Sequence, residues 1–140
     1  MDKENLIKEE ESLKNGSKIL FVEDDSYLRG ICCKKLKKEG FNVFEAIDGE
    51  EAIKMVNKVE PDLVLLDIIL PSIDGFEVLK QIRSHKNELI KNIPVIMLTN
   101  LGQEEDIKKA LDLKANDYLV KAYFTTEEIV EKIKNKLKLK

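Results

Sequence analysis

Five short aliphatic runs recur along the chain, each followed by a longer stretch in which apolar residues return every three or four positions. The runs are KILFV at 18–22, FNVFEA at 41–46, LVLLD at 63–67, IPVIMLT at 93–99 and DYLV at 117–120. Runs this short and this apolar suit strands buried on both faces, and the period between them suits amphipathic helices. Strands alternating with helices predict an α/β fold, a parallel sheet with helices on both faces.

The helices carry start and stop signals. Asp48 is placed to cap a helix with Glu51 at the reciprocal position; Ala52, Ile53, Val56 and Val59 form its apolar stripe, and Pro61 closes it. Asp25 or Ser26 opens the first helix, on which Leu28, Ile31, Cys32 and Leu36 line up with Cys33 beside them, until Gly40 ends it. Phe76, Leu79 and Ile82 mark a third helix, and Ile107, Ala110 and Leu111 a fourth. The fifth opens on Thr125 with Glu128 as its capping partner; Phe124 staples onto Ile129, while Ile133 and Leu137 continue inward. Lys134, Lys136, Lys138 and Lys140 offset the negative end of its dipole. Residues 1–16 are rich in charge, with only Leu6, Ile7 and Leu13 as large apolar groups, and read as a flexible extension before one folded domain over 17–140.

Composition narrows the class. A chain of 140 residues that is 43% hydrophobic supports one domain with a real core. No apolar stretch nears the roughly 20 residues a bilayer span needs. The start MDKENLIKEEE lacks the basic-then-apolar layout of a secretion signal, so a cytoplasmic protein without membrane association is expected. A net charge of -3 from 24 basic and 27 acidic residues gives no basic footprint and argues against direct nucleic-acid binding. Adjacent Cys32 and Cys33 with a single His85 make neither a disulfide framework nor a zinc site, and His85, within RSHKNE, reads as a solvated residue without a partner.

In open α/β sheets functional groups collect at the carboxyl ends of the strands. Here those ends carry Glu23, Asp24 and Asp25, then Asp67, then Thr99, then Lys121, whereas the second strand ends in turn and cap material, Ala46-Ile47-Asp48. Asp67 sits near the end of the apolar run DLVLLDIILP, where an ionised group inside a strand would be costly. The strand therefore ends at Asp67 and delivers the acid to the rim, with Pro71 preventing further pairing. If the first and third strands are neighbours, Glu23, Asp24 and Asp67 converge and repel unless a cation intervenes. Three carboxylates without His or Cys fit Mg²⁺ better than Zn²⁺. A hydroxyl from Thr99 and an ammonium from Lys121 add donors for an oxyanion, a set suited to phosphoryl transfer with Asp67 as nucleophile. Singly, each residue has an ordinary reading: Asp67 as a turn residue, Thr99 as a strand end, Lys121 as a surface lysine, Tyr118 as a half-buried strand aromatic.

The pieces KILFVEDDSYLR, DLVLLDIILPSIDGFEVL, IPVIMLTN and ANDYLVKAYF, in this order and spacing, resemble the receiver domain of two-component response regulators over residues 18–140. The resemblance implies a flavodoxin-like (βα)5 three-layer sandwich whose five-stranded parallel sheet has the order 2-1-3-4-5. It implies that Asp67 accepts a phosphoryl group from a sensor histidine kinase or phosphotransfer protein, and that Glu23, Asp24, Asp67 and the backbone carbonyl of Ile69 bind Mg²⁺. Thr99 and Lys121 would hold the phosphoryl oxygens, and Tyr118 would change rotamer in response. The implied output surface is the fourth helix, fifth strand and fifth helix, offered to a downstream protein by a monomer or a weak phosphorylation-dependent dimer. Because the chain ends soon after the fifth helix, the expectation is a single-domain switch and not a turnover enzyme.

Two positions depart from the family pattern: Ala122 stands where a proline joined by a cis bond usually follows the lysine, and Asn100 where a small residue usually follows the threonine. They keep open a degenerate receiver that binds a partner constitutively. An Mg²⁺-dependent aspartyl phosphatase of the haloacid dehalogenase type is disfavoured, since position 69 is Ile and not a second Asp. A Rossmann nucleotide site is disfavoured because EDDSYL follows the first strand where glycines would be needed.

Overall fold

The computed structural model describes residues 16–100 and 103–137, so residues 1–15 of the expected extension, and Lys138 and Lys140, lie outside the described residues. The strands are β1 (Lys18–Val22), β2 (Asn42–Ala46), β3 (Leu63–Asp67), β4 (Val95–Thr99) and β5 (Asp117–Val120). They form one parallel sheet in the order β2-β1-β3-β4-β5, as the family resemblance implies. Pairing sets Val22 opposite both Ala46 and Leu66, Asp67 opposite Leu98, and Thr99 opposite Val120, so the strand ends named above share one edge.

The described helices are α1 (Ser26–Lys38), α2 (Gly49–Val59), α3 (Gly75–Arg83), α4 (Glu88–Lys91), α5 (Glu104–Asp112) and α6 (Thr126–Lys136), with a 3-10 turn at Lys121–Tyr123. Every residue of β3 and β4 is buried, because helices cover both faces of the sheet's centre. Alternation along the strands divides the core in two. Leu20, Val22, Val64, Leu66, Val95 and Met97 meet Val56, Leu79 and Ile82 of α2 and α3 and Ala110 of α5 on one face. On the other, Ile19, Phe21, Leu65, Ile96, Leu98 and Leu119 meet Cys32 and Leu36 of α1 and Ile129 and Ile133 of α6.

The caps follow the sequence. Asp48 accepts the Glu51 N–H at 2.8 Å, and Thr125 accepts that of Glu128 at 3.2 Å. Between Asp25 and Ser26 the cap is Asp25, whose Oδ1 takes the N–H groups of Tyr27 and Leu28 at 2.9 and 3.2 Å. Gly40 ends α1 at φ 95°, a left-handed conformation open to a residue without Cβ.

Several expectations need correction. On α1 the buried arc contains Cys33 instead of Ile31, which is 39% exposed, because the helix packs on the sheet beside α6 with its Cys33 side inward. On α5 Ala110 is buried but Leu111 is exposed. The one-turn helix α4 was not foreseen; capped by Asn87 and burying Ile90, it is too short to show a period. His85 has partners after all: Nδ1 accepts the Asn87 N–H at 3.0 Å, which leaves the ring proton on Nε2, 2.7 Å from Asn57 Oδ1. Cys32 and Cys33 are free buried thiols that burial pushes up to about 11 and about 12, so they stay protonated near neutral pH. Among the described residues, no helix is long and apolar enough to cross a membrane.

Candidate functional site

Because β1 and β3 are adjacent and in register, the first residue beyond Val22 comes alongside the end of β3. That residue, Glu23, is 1% exposed, and Asp67 is 3% exposed, an unusual depth for two carboxylates. Lys121 leaves β5 two strands away and spans the edge: its Nζ donates to both oxygens of Glu23 at 2.9 Å and to Asp67 Oδ2 at 2.9 Å. Asp24 stands on the exposed lip, and Glu23, Asp24 and Asp67 each offer an oxygen within 4.8 Å of the others. Three carboxylates against one ammonium leave negative charge uncompensated.

The electrostatics reflect that imbalance. Burial first, then the hydrogen bond to Asp67, pushes the Glu23 carboxyl up to about 8, with Lys121 pulling the other way. Burial acts to lower the Lys121 ammonium, but Glu23 and Asp67 outweigh it and raise it above its ordinary value. The Lys121 ammonium bridges the two buried acids. The donors are all carboxylate oxygens and one lies open to solvent, which fits a hard divalent cation that keeps some of its water.

Thr99 ends β4 between these groups and is 5% exposed. Tyr118 lies on β5 opposite Met97, half-buried against the α2–α3–α5 side of the core. Ile69 follows β3 in an exposed loop, its N–H 3.4 Å from Asp67 Oδ1. The Lys121–Ala122 peptide is trans and opens the 3-10 turn, so the missing proline has not misdirected Lys121, which reaches both acids. Asn100 is exposed at the end of β4, and residues 101–102 lie outside the described residues.

Two glycines with no part in the strand-end pattern press helices onto the loop after β3. A Cβ on Gly75 would collide with the carbonyl oxygen of Asp67 and lie 2.9 Å from Ile68 Cα; its N–H donates to Ile68 O at 2.8 Å. The start of α3 is thus pressed onto the peptide that carries the acid. A Cβ on Gly49 would likewise collide with Ile73 O, so α2 bears on the same loop from its other end. The signal was present: Asp48-Gly49 and Asp74-Gly75 each place a glycine straight after a helix cap, where helix formation gives no reason for one.

Residues 19–134, which hold every residue of this site, match the family model for the response regulator receiver domain. The chain belongs to this family. Solved receiver structures agree over nearly their whole length. A response regulator from Chloroflexus aurantiacus is 34% identical, with a TM-score of 0.80 over 88% of this chain and 98% of that one. The CheY-like receiver domain protein of Methanospirillum hungatei is 28% identical (TM-score 0.79, 87% and 94% covered). The chemotaxis protein CheY4 of Vibrio cholerae is also 28% identical (TM-score 0.78, 85% and 97% covered).

Proposed function

We propose that this receiver domain is a phosphoryl-accepting switch of a two-component phosphorelay, carrying its aspartyl phosphate on Asp67. The observation that carries the reading is the pair of buried carboxylates bridged by Lys121, with Asp24 on the open lip. Glu23, Asp24, Asp67 and the Ile69 carbonyl would hold Mg²⁺, which when bound neutralises charge on the incoming phosphoryl oxygens. An Asp67 carboxylate oxygen attacks phosphorus, the bond to the donor nitrogen of a phosphohistidine breaks, and an acyl phosphate forms.

Lys121 already lies 2.9 Å from Asp67, so its ammonium transfers to a phosphoryl oxygen with little movement. Thr99, one strand over, donates its hydroxyl to another. The new group adds about -1.5 to -2 charge units at the rim, drawing Thr99 and Lys121 inward and opening a rotamer change for Tyr118. The outward readout is a downstream protein bound at α5, β5 and α6. The donor is a sensor histidine kinase or phosphotransfer protein, the setting cytoplasmic, and the cycle that of a switch, not of a turnover enzyme.

The test is intact-mass spectrometry after incubation with acetyl phosphate, with and without Mg²⁺. A single metal-dependent phosphoryl adduct that is absent from Asp67→Asn is expected. No adduct even with a competent histidine kinase and rapid quenching would replace this reading with that of a constitutive binding module.

A further inference from the structure

The β1–α1 turn carries two of the three acids, and its hydrogen bonds show what aims them. The Glu23 N–H donates to Ala46 O at 3.1 Å, and Asp25 is committed to capping α1. The Glu23 carbonyl lies beyond the strand, where the sheet offers no donor, and is taken by Arg29 Nη1 at 2.7 Å. The guanidinium is itself anchored on β2, its Nε donating to Glu45 Oε1 at 3.1 Å, and the Arg29 side chain is only 16% exposed. A peptide unit is planar, so holding the Glu23 carbonyl fixes ψ of Glu23 and φ of Asp24 together. Those two torsions set the directions in which the Glu23 and Asp24 side chains leave the backbone.

We infer that Arg29, braced by Glu45, is a positioning residue for the divalent-cation site: it fixes the Glu23–Asp24 peptide and so presets two of the three carboxylates. The inference rests on the proposed metal-dependent switch and adds to it a residue that touches neither metal nor phosphoryl group. A lysine keeps the charge but cannot hold the Glu23 carbonyl and Glu45 through a planar fork.

Charge and position predict opposite signs, which makes the inference testable. Removing a cation near an acidic cluster would by electrostatics alone tighten Mg²⁺ binding, whereas releasing the peptide would weaken it. The experiment is calorimetric titration of the full-length unphosphorylated protein with Mg²⁺, for the unmodified chain, Arg29→Gln, Arg29→Lys and Glu45→Gln, each checked for an intact melting transition. Both arginine variants are expected to bind Mg²⁺ about tenfold more weakly, the scale of residues that orient metal ligands. Glu45→Gln, which leaves Arg29 in place, should weaken binding by a smaller factor and covers the case in which the arginine variants do not fold. The Mg²⁺ concentration for half-maximal acetyl phosphate uptake should rise in parallel, with the rate at saturating Mg²⁺ retained.

Unchanged or tighter binding in Arg29→Gln, or full affinity in Arg29→Lys, overturns the inference while leaving the switch intact. Failure of the unmodified chain to bind Mg²⁺ overturns both.

Discussion

At the amino edge of the sheet, Arg83 reaches from the end of α3 and donates to the carbonyls of Lys114, Lys91 and Ile93 at 3.0, 2.9 and 2.8 Å. It also donates to Asn116 Oδ1 at 2.8 Å, which in turn accepts the Val95 N–H at 2.9 Å. At the carboxyl edge, Glu23 and Asp67 share one ammonium while Asp24 waits on the lip. Both edges gather titratable groups, yet the amino edge matches a half-buried donor to neutral acceptors and the carboxyl edge packs acids together. The first arrangement ties elements together; the second leaves capacity for a cation and an oxyanion, and its stability depends on what it binds.

The largest effect should separate the two edges outright. Asp67→Asn is expected to reduce phosphoryl uptake to background without lowering the melting temperature, because the amide removes one of the repelling carboxylates. Intact-mass and thermal-melting measurements on the same preparation check both halves. A variant that melts well below the parent would show that Asp67 holds the fold together and would erase the contrast.

Arg83→Ala is the mirror experiment. It leaves the part-buried Ile93 carbonyl without its donor and gives those of Lys91 and Lys114 back to water, and the expected loss is about 1.5 kcal/mol by urea denaturation. Uptake of phosphoryl groups should persist wherever the variant remains folded. Lost uptake with unchanged stability would mean that the two edges are coupled through α3.

A smaller effect concerns pH. The Glu23 carboxyl is raised from its ordinary 4.5 to about 8 in the metal-free fold, so between those values the folded state binds a proton that the unfolded chain has lost. Its contribution to stability is therefore complete below 4.5 and lost as pH rises through about 8. Metal-free protein should lose stability between about pH 5.5 and 8, Glu23→Gln should flatten the slope, and saturating Mg²⁺ should reverse it by displacing the proton. Urea titrations in chelator and in Mg²⁺ across this range decide the matter, and a flat profile without metal would show Glu23 to be ionised throughout.

The same contrast explains what could be read from the sequence. The strands β3 and β5 were legible to the residue because a run of apolar positions bounded by polar ones has a single buried solution. Glu23, Asp24, Asp67, Thr99 and Lys121 were legible as candidates because strand ends share an edge, although nothing in their spacing said that Lys121 would reach both buried acids. The amino edge was almost silent. Arg83 gave no signal, since three of its four partners are backbone carbonyls that carry no residue type, and the partners of His85, the Asn87 N–H and Asn57 Oδ1, come together only in the fold. Gly75 lay in plain view, but its purpose appears only when α3 is seen against the Asp67 carbonyl.

The smallest expected effect places a carboxylate of the amino edge beside Glu23. Asp117 opens β5; its Oδ1 accepts the Tyr118 N–H at 2.8 Å, and its Oδ2 pairs with Lys132 and Lys136 at 3.3 Å each. Burial pushes this carboxyl up, but the N–H and the two ammonium groups outweigh it and hold the group below its ordinary 3.8. Its sign is thus opposite to that of Glu23: the stabilising contribution is present above 3.8 and lost as pH falls below it. Both lysines are partly solvated, so Asp117→Asn should cost only about 0.5 kcal/mol at neutral pH, and the difference from the parent should shrink as the pH falls below 3.8. Paired urea titrations at neutral pH and below 3.8 test it. A difference that grows on acidification would mean that Asp117 resists ionisation as Glu23 does, and that the two edges treat buried carboxylates alike.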